Sequence, residues 1–105
     1  MNISNLIFVG LGKHVIALHR TNGTTVWVNS NLNRGYTSLM LDGDRLVVSA
    51  NGYLYCLDPL TGKILWSNEL KGFGMGAASL ASVRGRSGDE AGLYAAVEDA
   101  RRQSD

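Results

Sequence analysis

Short apolar runs, separated by polar or glycine-containing turns, dominate residues 6–68. The runs are rich in β-branched and aromatic residues, and their shortness favours strands over helices. Several runs are apolar on consecutive positions, which predicts that both faces of the sheet are covered. Strands are predicted at residues 6–9, 15–18, 25–28, 38–41, 45–50 and 63–67.

One stretch occurs twice. Residues 54–66 are predicted to form a strand, a tight turn and a strand, and residues 15–27 are an earlier partial copy, shifted by 39 residues. The second unit contains four predicted strands joined by short turns, which is an antiparallel meander from about residue 37 to residue 68. The first unit lacks its leading strand. Units of about 40 residues with four strands each are typical of β-propeller blades.

The chain of 105 residues suits a single domain, residues 1–105. Within it we assign residues 5–32 to a partial first blade and residues 36–70 to a complete second blade. Residues 77–105 are predicted to form either a partial third blade or a C-terminal helix. Residues 77–83 resemble the leading strand of such a third blade.

Two alternatives remain for residues 88–102. The repeat favours a strand at residues 93–97. Ser87 and Glu90 have capping-box spacing, which favours a short C-terminal helix instead. The apolar residues that would share one face of this helix are Leu93, Val97 and Ala100.

The repeated stretch has a specific pattern: an apolar pair, Ala or Cys, Leu, Asp, a few further residues, Thr-Gly-Lys, two apolar residues and Trp. The second copy carries it as Leu57, Asp58, Thr61, Gly62, Lys63 and Trp66. The first copy keeps Ala17, Leu18, Gly23 and Trp27 but has His19 for Asp and Asn22 for Thr. Over residues 5–83 the chain resembles the tryptophan-docking repeat of PQQ-like β-propellers, found in quinoprotein dehydrogenases and outer-membrane assembly lipoproteins.

The resemblance implies an all-β fold of about two tandem four-stranded antiparallel blades, left open, in which the motif residues are structural. Asp58 can accept N–H bonds within its own turn, and Gly62 can adopt the positive φ of a bulged turn. Trp27 and Trp66 would lie in seams between adjacent blades. If Trp66 is buried in this way, replacing it with Ala would cost about 3–5 kcal/mol. The structural motif therefore comprises Trp27, Trp66, Gly23, Gly62, Asp58 and Thr61.

Charge and cysteine content exclude several classes of partner. Ten Lys and Arg against nine Asp and Glu give a net charge of +1, so no nucleic-acid partner is expected. The apolar run at residues 6–11 is too short to insert in a membrane. The start of the chain lacks the positive charge of a secretory signal, which predicts a cytoplasmic protein.

Cys56 is the only cysteine, which excludes an internal disulfide, and it is predicted to be a small buried hydrophobe.

No catalytic, cofactor-binding or metal-binding residues are assigned. Quinoprotein enzymes need a closed propeller, a calcium ion, a catalytic Asp and typically an adjacent Cys pair, so we expect neither a cofactor nor an enzyme here. Asp42 and Asp44 are interpreted as a solvated hairpin tip rather than a metal loop. His14 and His19 lack a Cys or carboxylate to complete a site. Residues 72–76 are interpreted as a crossing between blades, not a phosphate loop.

An open pair of blades would expose apolar faces and strand edges to water. We therefore expect a homo-oligomeric ring of three or four copies, in which residues 77–83 of one copy complete the first blade of the next, or else a protein partner. The predicted function is a non-catalytic protein-interaction or scaffold module. The alternative is a small-ligand or carbohydrate-binding, lectin-like propeller that uses the seam aromatics Tyr36, Tyr53 and Tyr55.

Overall fold

The computed structural model describes residues 1–87, which fold into antiparallel strands with one short 3₁₀ helix, Ile3–Asn5. Every predicted strand run up to residue 67 overlaps an observed strand, and the all-β fold class is confirmed. The strands in chain order are β1 (Leu6–Leu11), β2 (His14–His19), β3 (Thr25–Asn29), β4 (Thr37–Asp42), β5 (Arg45–Ala50), β6 (Tyr53–Leu57), β7 (Ile64–Asn68) and β8 (Gly85–Ser87).

The strands form two open sheets. The first sheet has the order β1-β2-β3, and the second has the order β7-β6-β5-β4-β8. Strands β4 to β7 are the predicted four-stranded meander, and the first sheet lacks a leading strand, as expected for tandem open blades. Each sheet has a register shift at the same place in the repeat, so that Trp27 pairs with Ala17 and Trp66 pairs with Cys56.

The prediction of a leading strand at residues 77–83 is wrong, because no strand forms there. Its small residues offer little apolar area and have low β propensity, so the pleated conformation is weakly favoured. The segment is attached to β4 by side chains instead. The hydroxyl of Ser38 donates to the carbonyl of Ala78 at 3.2 Å, and Ser82 donates to Asp42 at 2.7 Å. Strand β8 then pairs with β4, and the choice between helix and strand for residues 88–102 lies outside the described residues.

The core lies between the two sheets. Side chains alternate along a strand, so one face of the first sheet can present Val15, Ala17 and Trp27 together. These residues pack against Leu46, Val48, Ala50 and Leu57 of the second sheet, and the buried Leu32 closes the cluster. The seam between the blades is therefore the main hydrophobic contact of residues 1–87.

The opposite face of the first sheet is open to solvent. Ile7, Leu11 and Val28 lie on that face and are 48%, 65% and 53% exposed. The prediction that both faces of a blade are covered is therefore wrong for the first sheet as residues 1–87 show it. Together these side chains form an exposed apolar group on one face of the sheet.

Cys56 provides a direct check of the burial of β6. Its side chain is buried, as predicted, and burial raises the pKa of its thiol. Only the thiolate reacts quickly with disulfide reagents, so we expect slow labelling of the native protein and fast labelling in concentrated guanidinium. The measurement is the absorbance of the released thiol reagent against time. Equal rates in both conditions would contradict the buried position of β6.

Candidate functional site

The repeated motif forms a tight turn at residues 58–62. The N–H of Asp58 donates to the carbonyl of Lys63 at 2.8 Å, and the N–H of Gly62 donates to the carbonyl of Asp58 at 2.7 Å. The Asp58 carboxylate also accepts the N–H of Leu60 at 2.9 Å, and Thr61 Oγ1 accepts the N–H of Lys63 at 3.3 Å. Gly62 has φ +79°, a conformation that glycine adopts without strain.

Trp27 of the first blade docks on this turn. Its indole Nε1 donates to the carbonyl of Pro59 at 2.9 Å, and Trp27 is only 9% exposed. A Cβ on Gly62 would collide with the indole ring, at 2.7 Å from Cδ2 and 2.8 Å from Cζ3. The ring therefore lies directly on the glycine, which the absence of a side chain makes possible.

Asn29 makes the second hydrogen bond of this contact. Its Nδ2 donates to the carbonyl of Gly62 at 2.7 Å, while its Oδ1 accepts the N–H of Asn31 at 2.9 Å. Asn29 is buried, and both ends of its amide are satisfied, as a buried polar group requires. We call Trp27 and Asn29 the donor pair, residues 58–62 the acceptor turn, and their contact the docking joint.

The second blade has residues equivalent to the donor pair, but within residues 1–87 they form no docking joint. Trp66 and Asn68 stand 39 residues after Trp27 and Asn29. Trp66 is 48% exposed, and its Nε1 forms no hydrogen bond within residues 1–87. The burial that the family resemblance implied for Trp66 is therefore not observed, and the full cost of about 3–5 kcal/mol for its loss does not apply to the single chain.

The first blade repeats the acceptor turn, at residues 19–23. The N–H of His19 donates to the carbonyl of Thr24 at 2.7 Å, and the N–H of Gly23 donates to the carbonyl of His19 at 2.8 Å. Asn22 replaces Thr61 and accepts the N–H of Thr24 at 3.0 Å, so the turn keeps its shape despite the changed residue. Gly23 has φ +75°, and a Cβ on it would meet nothing within 4 Å.

The other candidate residues are occupied by local contacts. Asp44 pairs with Arg45 at 3.3 Å at the exposed hairpin tip, and Asp42 accepts from Ser82. The ring Nδ1 of His14 is 2.8 Å from Ser30 Oγ. Within residues 1–87 no group of three His, Cys, Asp or Glu side chains is arranged to hold a metal ion.

The three tyrosines proposed for a carbohydrate site are not equivalent. Tyr55 packs against the core, and its hydroxyl accepts the N–H of Asn33 at 3.2 Å. Tyr36 and Tyr53 are 56% and 37% exposed. Tyr53 lines a shallow cavity of about 350 Å³ beside residues 69–72. A second shallow cavity, of about 420 Å³, is lined by His14 but by no Tyr, Trp or Phe. The lectin-like alternative stays a prediction.

Asn29 and Asn68 are not among the site residues predicted from the sequence. Both lie just beyond the tryptophan of their copy, at the 39-residue spacing of the repeat, and this recurrence was the available signal. An Asn at a strand end is common in turns, so the residue type alone indicates no special role.

Two open sheets joined through a docked tryptophan define the class of this protein, which is a module of tandem β-propeller blades. A family model described as outer membrane protein assembly factor BamB matches residues 12–103. The chain belongs to this family of PQQ-like repeats. A comparison with curated proteins gave no match. In the part of the chain that the structure describes, no helix is long and apolar enough to cross a membrane.

Proposed function

We propose that this chain is a non-catalytic protein-interaction module whose contact surface includes the exposed Trp66, and that copies of it close by self-assembly. The observation that carries the proposal is the contrast between two equivalent residues, since Trp27 is 9% exposed and Trp66 is 48% exposed. One tryptophan of the repeat is used inside the chain. The other presents a large apolar ring to a partner, the kind of residue that dominates interface energetics.

A second surface supports association between copies. Trp66 pairs with Cys56 on the face of the second sheet that points away from the first, whereas Ile7, Leu11 and Val28 lie on the outer face of the first sheet. The two surfaces lie at opposite sides of the blade pair, so they meet only in a heterologous contact, and such contacts close into rings when the rotation permits. Three copies would give six blades and four would give eight, within the usual range for propellers.

The proposal predicts an oligomer that depends on Trp66. At micromolar concentration, light scattering on the eluting protein should give about three or four times the mass of one chain, and Trp66→Ala should give the mass of the monomer. Tyr36→Ala is the matched control, because it removes another exposed aromatic ring and should leave the mass unchanged.

Circular dichroism would establish that the variants are folded. A monodisperse wild-type monomer would contradict self-assembly. An oligomer that persists in Trp66→Ala would contradict the role given to Trp66.

A further inference from the structure

The docking joint inside the chain shows what each half must supply. The donor pair supplies the Nε1 of Trp27 and the Nδ2 of Asn29, which bind the carbonyls of Pro59 and Gly62. Both acceptors are main-chain atoms. Recognition therefore depends on the shape of the acceptor turn and on a bare glycine under the indole ring, and little on the other side chains of the turn.

The second blade carries a second donor pair, Trp66 and Asn68, which no acceptor turn occupies within residues 1–87. Asn68 Oδ1 accepts the N–H of Leu70 at 2.9 Å, as Asn29 Oδ1 accepts the N–H of Asn31 at 2.9 Å. This bond fixes the amide and leaves Nδ2 available to donate. Asn29 is buried against its acceptor, whereas Asn68 is exposed.

The first blade carries a second acceptor turn, residues 19–23, in the same main-chain conformation, and no donor pair of the described residues occupies it. Gly23 and Gly62 have φ +75° and +79°, and both close the same pair of main-chain hydrogen bonds. Gly62 is buried under Trp27, whereas Gly23 is exposed. The space that the indole ring fills over Gly62 is open over Gly23.

The residues beside the second donor pair and the second acceptor turn carry opposite charges. In the docking joint, Ser30 follows the donor Asn and Pro59 supplies the first carbonyl. In the second donor pair and the second acceptor turn these positions hold Glu69, which also pairs with Lys71 at 3.5 Å, and Arg20. An anion on one half and a cation on the other favour one orientation of encounter and disfavour contact between like halves.

We infer that the partner is a second copy of this chain, bound in one direction, with Trp66 and Asn68 of one copy on the carbonyls of Arg20 and Gly23 of the next. This inference rests on the proposed self-assembly and specifies its contact. This contact replaces the one predicted from the sequence, in which residues 77–83 of one copy complete the first blade of the next. Those residues are held against β4 of their own chain.

The direction of the contact can be tested by mixing two variants that cannot assemble on their own. Trp66→Ala removes the donor and keeps the acceptor turn, whereas Gly23→Ala blocks the acceptor turn and keeps the donor. Each variant alone should be monomeric, and an equimolar mixture should form a dimer with one copy of each, measured by native mass spectrometry. Gly12→Ala is the matched control, because Gly12 also has positive φ and open space but lies outside the acceptor turn. It should assemble like the wild type.

A charge exchange provides a second test that does not strain the backbone. Arg20→Glu should weaken assembly several-fold in a concentration series, and mixing it with Glu69→Arg should restore the association. Arg20 and Glu69 are both exposed, so neither change affects the core.

The outcomes separate the two proposals. If Gly23→Ala assembles like the wild type while Trp66→Ala is monomeric, self-assembly stands and the acceptor turn is the wrong partner surface. If Gly12→Ala also becomes monomeric, or if neither mixture restores association, the directional contact is overturned. If the wild type is a monomer at every concentration, the proposed function fails together with this inference.

Discussion

Replacing Trp27 with alanine is expected to lower the free energy of unfolding by about 3–5 kcal/mol, the usual cost of deleting a buried aromatic side chain. The ring fills the seam between the sheets, and its Nε1 satisfies the carbonyl of Pro59. Its loss would leave both a cavity and a buried acceptor without its partner, and the second effect alone costs about 1–3 kcal/mol. Urea denaturation followed by far-ultraviolet circular dichroism measures the change.

Trp66→Ala is the matched control for this prediction. It deletes the same side chain at the equivalent position of the second blade, where 48% of the residue is already exposed. Below the concentration at which copies associate, it should cost less than half as much as Trp27→Ala. Equal losses in the two variants would show that Trp27 is not held in the seam as described.

Gly62→Ala is expected to destabilise the chain by about 2–4 kcal/mol. Part of the cost is the strain of placing alanine at φ +79°. The rest is the collision of the new Cβ with the indole ring of Trp27, which must move out of the docking joint. Thermal unfolding followed by intrinsic tryptophan fluorescence measures both the stability and the altered position of the ring.

Gly23→Ala separates the two contributions. Its φ of +75° carries nearly the same backbone strain, but its Cβ meets nothing within 4 Å. At concentrations where the chain is monomeric, this variant should lose only about 1–2 kcal/mol. If it is as unstable as Gly62→Ala, the close contact between Trp27 and Gly62 is not what the stability depends on.

The strands and the repeat were predictable because they depend on local sequence. Short apolar runs bounded by glycine turns indicate strands without knowledge of the rest of the fold. The spacing between Gly23 and Gly62 was enough to indicate two units, and it also showed that the first unit lacks its leading strand. The buried position of Cys56 followed from its apolar neighbours in β6.

The state of Trp66 was not predictable in the same way. Trp27 and Trp66 occupy the same place in the repeat, yet one is buried and the other is half exposed, because burial depends on what packs against the ring. The sequence of a repeat specifies a surface that fits its neighbour, and not whether a neighbour is present. Residues 77–83 differ from the predicted strand for a related reason. Side-chain contacts to β4 replace the strand pairing that the repeat suggested.

Because the acceptors are main-chain carbonyls, the side chains of the turn can change while the acceptors remain. Between the two copies of the turn, Arg20 stands for Pro59 and Asn22 for Thr61, yet the backbone hydrogen bonds persist. Most side chains of the turn are thus free to vary, and only the glycine is constrained by the ring above it. A blade should therefore keep its fit to the next one through many substitutions in the turn, so whole 39-residue units should be exchangeable within the chain as long as the glycine is kept.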